Sequence, residues 1–149
     1  MRRSSSGISP VVATVILVAI AIVIAIAVAF WASGLVGVFT RFEKLEIVSA
    51  YQSGADEITV IVRNTGTTPT SIIQVVLNGV SVYNIANPPG LDVGQQLTCT
   101  ITTDRELQAG VTYEVMLKSS GGKEYPTTIL ANTGGGGAGT PGISGVDCA

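Results

Sequence analysis

Residues 8–39 read ISPVVATVILVAIAIVIAIAVAFWASGLVGVF, 32 positions without one charged side chain. As a helix rising 1.5 Å per residue they span roughly 48 Å, against a bilayer hydrocarbon core of about 30 Å. The apolar run of a secretory signal is roughly 7–15 residues long and precedes its cut site, so an ordinary cleaved signal is a poor fit. Val and Ile are mediocre helix formers in water. In lipid or in a packed bundle, however, every backbone polar group must be satisfied within the segment, and helix becomes the default. Pro10 suits the start of that helix, where a missing N–H costs least, and Ser9 beside it is a candidate N-cap. Phe30 and Trp31 fall about 33–36 Å beyond Ile8, at the level of an interfacial aromatic belt. Ala21, Ala25, Ala29, Ser33 and Gly37 recur every four residues and wind along one side, where small side chains let a neighbouring helix approach closely. The abundance of Ala in an apolar run accounts for the same row.

Outward from this stretch the chain is short and sparsely charged. Its 149 residues suffice for one folded domain of ordinary size. Only 12% are charged, about half the globular average, and the deficit is concentrated before Arg41. A formal charge of −2 leaves no basic footprint for nucleic acid. Histidine is absent, which removes the commonest general base and metal ligand, and no nucleophile constellation takes its place. Neither an enzyme nor a cofactor-binding protein is expected. Ahead of the apolar run, Arg2 and Arg3 followed by Ser4, Ser5, Ser6 and Gly7 form a short basic leader. Paired arginines there favour a cytoplasmic N-terminus and place Arg41 onward outside.

The segment Gly7-Ile8-Ser9-Pro10-Val11-Val12-Ala13-Thr14-Val15-Ile16 closely resembles the N-terminus of archaeal type IV pilins. The Ser-Pro-Val-Val pattern is its most specific part and points to adhesive pilins rather than archaellins. Bacterial type IV pilins carry glutamate at the fifth mature position, where this chain has Val12. The resemblance implies a class III signal peptide, residues 1–7, cut by a prepilin peptidase between Gly7 and Ile8. Loss of Arg2 and Arg3 then leaves 6 basic against 10 acidic side chains, a change from −2 to −4. It further implies a homopolymeric helical filament built by a pilus assembly ATPase and a membrane platform protein. The subunit is stored in membrane lipid of the cell membrane before assembly and ends in an extracellular pilus on the archaeal cell surface, adhering through its head.

Beyond Thr40 the periodicity changes. Residues 8–44 are assigned to the helix, 45–131 to a head and 132–149 to a Gly-rich tail expected to be flexible, or laid against a neighbouring subunit. The head contains seven predicted strands: 45–52, 57–64, 71–77, 80–86, 96–103, 111–118 and 123–130. Leu97, Cys99 and Ile101 alternate with Thr98, Thr100 and Thr102, and Val111, Tyr113, Val115 and Leu117 alternate with Thr112, Glu114, Met116 and Lys118. Ile58, Val60 and Val62 do the same, except that Ile61 interrupts the outer polar face. Period two with one apolar face describes half-buried antiparallel strands. Asn78-Gly79 is a two-residue hairpin turn needing positive φ. The fold class is therefore α+β: a long N-terminal hydrophobic α-helix followed by an all-β immunoglobulin-like sandwich head.

Few residues in the head offer chemistry. Cys99 and Cys148 make an even pair in a compartment that permits a disulfide, which would close a loop of about 50 residues and stabilise by roughly 4 kcal/mol; Cys99 equally suits a small core position. Asp56-Glu57 and Asp104-Arg105-Glu106 are turn charges with too few oxygens for a calcium loop. Thr65, Thr67, Thr68, Thr70 and Ser71 serve either O-linked sugar or turn geometry, the latter preferred. A membrane-anchored extracellular binding module that does not polymerise is the alternative to the filament subunit.

Overall fold

The computed structural model describes residues 8–137 and 139–149, which form two compact units divided at Arg41 and Phe42. The first is a single helix, α1 (Ile8–Thr40), apolar on every side and without charge in its first or last turn. The helix stops short of the 44 expected because the next residues are engaged by the head. Phe42 N–H donates to Thr67 Oγ1, while Thr67 N–H and Thr68 Oγ1 donate to Phe42 O. Lys44 O accepts from the N–H groups of Thr65 and Gly66, and Lys123 Nζ donates to Glu43 O.

The second unit is a sandwich of nine antiparallel strands. They are β1 (Leu45–Gln52), β2 (Glu57–Asn64), β3 (Thr70–Leu77), β4 (Ser81–Asn84), β5 (Gly90–Leu91), β6 (Gln96–Thr103), β7 (Thr112–Ser119), β8 (Glu124–Leu130) and β9 (Ile143–Cys148). One sheet has the order β1-β2-β6-β9; the other runs β4-β3-β7-β8, with β5 beside β3. The inward residues of both sheets, among them Ile58, Val60, Val62, Ile101, Ile72, Val75, Leu77, Val115 and Leu117, have no exposed surface and make one core. Each such buried aliphatic side chain contributes about 1.5–3 kcal/mol relative to exposure, which is what the period-two pattern encodes.

Two strands were absent from the seven-strand reading. β5 is a two-residue pairing of Gly90 and Leu91 with Ser71 and Thr70. β9 pairs with β6, aligning Val146 with Ile101 and Cys148 with Cys99. Strand β4 is shorter than expected because Asn78 (φ 51°) and Gly79 (φ 67°) form the turn and Val80 adds an unpaired third residue before Ser81.

The expected flexible tail is corrected by the same pairing. Asn132 and Thr133 N–H donate to Gln52 Oε1, Ala109 N–H to Gly134 O, Gly136 N–H to Leu107 O and Gly135 N–H to Glu106 Oε2. Gly142 and Asp104 exchange two bonds, and Ile143 N–H reaches Ser81 Oγ. A Cβ on Gly134 or Gly136 would run into the carbonyls of Leu107 or Glu106. These glycines permit close backbone approach, not flexibility.

Candidate assembly surfaces

Along α1 the stretch Ser9–Leu35 alone is 27 residues long and contains no buried residue; at 1.5 Å per residue that is about 40 Å, enough to cross a bilayer. Val11, Val15, Leu17, Val23 and Phe30 are among the bare large side chains. A helix apolar all round is a buried helix, whether lipid or other helices bury it. Ser9 and Pro10 are the second and third of the helical residues described, with Ile8 before them already helical. Ala21, Ala25, Ala29, Ser33 and Gly37 are all exposed. Trp31 sits next to Phe30 and both are more than two-thirds bare (67% and 77%). Arg2, Arg3 and Gly7 lie outside the described residues, and Ile8 opens the helix.

In the head, Cys99 and Cys148 are joined by a disulfide. Thr98 and Ala149 exchange both backbone hydrogen bonds next to it, so the two cysteines occupy the neighbouring non-hydrogen-bonded pair, where side chains come closest. Cys99 is fully buried on the inner face, so the bond is both core and staple. Asn64, also fully buried, donates from Nδ2 to the carbonyls of Thr68 and Leu91 and accepts from Gly66 N–H on Oδ1. It organises the loop that grips 42–44. The Thr67 and Thr68 hydroxyls are held by Phe42, and the Thr70 hydroxyl meets that of Ser120: turn and neck chemistry uses them. At the same end, Tyr125's hydroxyl is buried without a hydrogen-bond partner. Burial raises its pKa above the ordinary 10.0; the Leu45 backbone, outside hydrogen-bonding geometry, opposes the rise and the Glu43 carboxylate adds to it.

Among the described residues no group of three or more His, Cys, Asp or Glu is placed to hold a metal. Asp104 and Glu106 instead bind tail amides, which explains their spacing. The features that sequence reading passed over are on the outer faces of the sandwich: Val48, extruded by a bulge in β1, and Val80 and Val82 beyond the Asn-Gly turn, all more than half exposed. Only Ile61, the break in the alternation of β2, signalled that an outer face is not wholly polar.

No protein-family profile and no curated protein matches the chain. Among the solved structures that are similar are two archaeal ones. One is the archaellum periplasmic stator protein FlaG from Sulfolobus acidocaldarius, 17% identical over 58% of this chain and 99% of its own, with a TM-score of 0.50. The other, from the archaeal flagellum of Methanospirillum hungatei strain JF1, is 15% identical over 95% of this chain and 99% of its own, with a looser TM-score of 0.45. The first likeness shows a shared fold over that part of the chain; the apolar N-terminal helix followed by a sandwich of antiparallel sheets defines this chain as α+β.

Proposed function

We propose that this protein is a structural subunit of an archaeal surface filament of the adhesive type IV pilus kind. The observation that carries the reading is α1, 33 residues with no charged group and no polar stripe, followed in the chain by a head that has a hydrophobic core of its own. Held in lipid, the helix is satisfied; gathered with copies of itself, it is satisfied equally, because close packing replaces lipid contact. The leader's Arg2 and Arg3 oppose extraction from the membrane until the peptidase cuts between Gly7 and Ile8. Removal of that charge releases a uniformly apolar rod, which the assembly ATPase and platform protein pass into a growing polymer. Ala21, Ala25, Ala29, Ser33 and Gly37 are the row along which backbones come closest. Open head-to-tail contacts make the product a helical polymer rather than a closed ring. The head is displayed outside and carries adhesion; no catalytic role is assigned.

N-terminal sequencing and negative-stain microscopy of the same preparation of sheared surface filaments test this reading. A start at Ile8 in thin fibres is expected. A second reading, favoured by the fold likeness to an archaellum stator protein, is a permanently anchored exterior module. It predicts a chain confined to membranes, monomeric in detergent and absent from fibres.

A further inference from the structure

The head carries two unlike apolar patches on opposite sides. Outward from the four-stranded sheet stand Val48 (54% exposed), Tyr51 (47%) and, between them on β2, the half-buried Ile61 paired with Ser49. Outward from the other sheet, Val82 (53%) faces Val76, which faces Met116, which faces Pro126, a continuous row across four strands, with Val80 (74%) at the turn beside it. Scattered exposed valines are ordinary on a soluble domain. Here they are grouped, and on both broad faces of one small sandwich whose other outward positions include Thr98, Thr100, Thr112, Glu114 and Thr128.

Charge decides how such faces can combine. Arg63 stands two residues along β2 from Ile61, on the same face, opposite Glu46 in the register but without an ion pair. On the other face Lys118 is engaged by Glu124 at 3.8 Å, while Glu114, two residues from Met116, has no ion pair among the described residues. Like faces could also pair opposite charges, Arg63 with a neighbour's Glu46, but such a two-fold contact closes a dimer and cannot continue a polymer. Unlike faces allow Arg63 to meet Glu114.

We propose that heads of successive subunits touch through these unlike faces, with Val48, Tyr51 and Ile61 of one copy against Val76, Val82 and Met116 of the next, and Arg63 beside Glu114. The inference rests on the filament reading above, since an open polymer requires two different surfaces on each subunit. Three or four side chains per face fall well below the roughly 800 Å² per partner of a stable free-standing interface. The contact therefore forms only where polymerised helices already hold two heads side by side, which raises their effective concentration.

The test uses the full chain in filaments made by cells. Its two native cysteines are bonded to each other and leave no free thiol among the described residues, so Ile61→Cys, Val82→Cys and the double variant are each treated with a short bis-maleimide. The double variant is expected to give a ladder extending beyond dimer on a denaturing gel, and neither single variant more than monomer. Dimers from Val82→Cys alone would mean that like faces meet; filaments of the double variant without a ladder would mean that the heads do not touch here. Either overturns the proposal. If the cysteine variants do not assemble, Arg63→Glu and Glu114→Arg replace them. Each alone is expected to lower filament yield several-fold and the pair to restore it; a pair no better than the singles overturns the proposal. Fibres absent from the unaltered chain, with a start at Met1, would instead mark failure of the filament reading itself.

Discussion

Reducing the Cys99–Cys148 bond isolates one term of head stability, because it changes connectivity while leaving both sulfur atoms in place. The bond closes a loop of 49 residues. In the chain-entropy account a loop that size removes about 14 cal/mol/K from the unfolded ensemble, or about 4 kcal/mol at 25 °C. Measured disulfides deliver roughly 2–4 kcal/mol. Unfolding a 108-residue head (42–149) at about 2.1 cal/mol/K per residue carries an entropy near 230 cal/mol/K, so the Tm falls by about 9–18 °C. The full chain in detergent micelles is suitable, since all four tyrosines, Tyr51, Tyr83, Tyr113 and Tyr125, lie in the head and the only tryptophan is in α1. Tyrosine second-derivative absorbance during heating thus reports the head alone. Because Cys99 is fully buried, the sample is reduced while unfolded and then refolded in reductant. A fall below about 4 °C, equivalent to about 1 kcal/mol, would refute the argument: it would mean that β9 holds its register without the staple and that the unfolded chain is not loosened by losing it.

Other perturbations separate the remaining claims. Gly134→Ala and Gly136→Ala place a methyl against the carbonyls of Leu107 and Glu106 and are expected to cost about 1–3 kcal/mol each by thermal melt, whereas Gly137→Ala, with open space around its Cβ, costs almost nothing. Asn64→Ala removes the side-chain donor to the Thr68 and Leu91 carbonyls and leaves the Gly66 amide only its bond to Lys44 O, with an expected loss of about 1–3 kcal/mol in denaturant titration. The raised pKa of Tyr125 means that above pH 10 the unfolded chain loses its phenolic proton before the folded one does, so stability present below pH 10 declines as pH climbs towards the folded value; Tyr125→Phe is expected to flatten that decline in melts across the alkaline range. Ile8→Asp puts a charge at the first residue of α1 and is expected to abolish filaments while leaving the head's melting unchanged; intact fibres would contradict the filament reading.

What could be read in the sequence follows the strength of the local pattern. β1, β2 and β6 have the bounds expected of them; in β2 and β6 this follows from apolar residues at period two (Ile58, Val60, Val62; Leu97, Cys99, Ile101) beside polar ones, with Asn64 and Asp104 at their ends. The positive φ of Asn78 and Gly79 was legible from the residue pair, but the expected two-residue turn is a loop of three, since Leu77 pairs with Ser81 and Val80 lies between. Strand β5 was not, since two residues beside Pro88-Pro89 carry no period. Strand β9 was hidden for a different reason: Ile-Ser-Gly-Val-Asp-Cys has a glycine near its centre, and what holds it lies outside the segment, in the register with β6 and the bond to Cys99.

The glycine run before β9 shows most sharply why composition alone misled. Glycine is chosen either because the chain must remain free or because something must come too close for a Cβ, and those reasons lead to opposite structures. Four consecutive glycines favour the first in isolation. The second became visible only when Leu107, 27 and 29 residues and two strands earlier, was placed against Gly134 and Gly136. The partners do carry a faint signal, since Asp104 and Glu106 sit two apart with side chains that accept from Gly142 and Gly135 amides. Asp104 also lies 3.6 Å from the exposed Arg105 guanidinium, yet both carboxylates still accept backbone N–H groups, and a glycine-rich segment elsewhere in the same domain is where such groups are most accessible. The same logic applies to Asn64 and Gly66: a polar residue at a strand's end, next to a glycine, marked not a loop left free but the clamp that holds the first residues after α1. In both places the glycine is legible as structure only together with the polar side chain that receives its backbone.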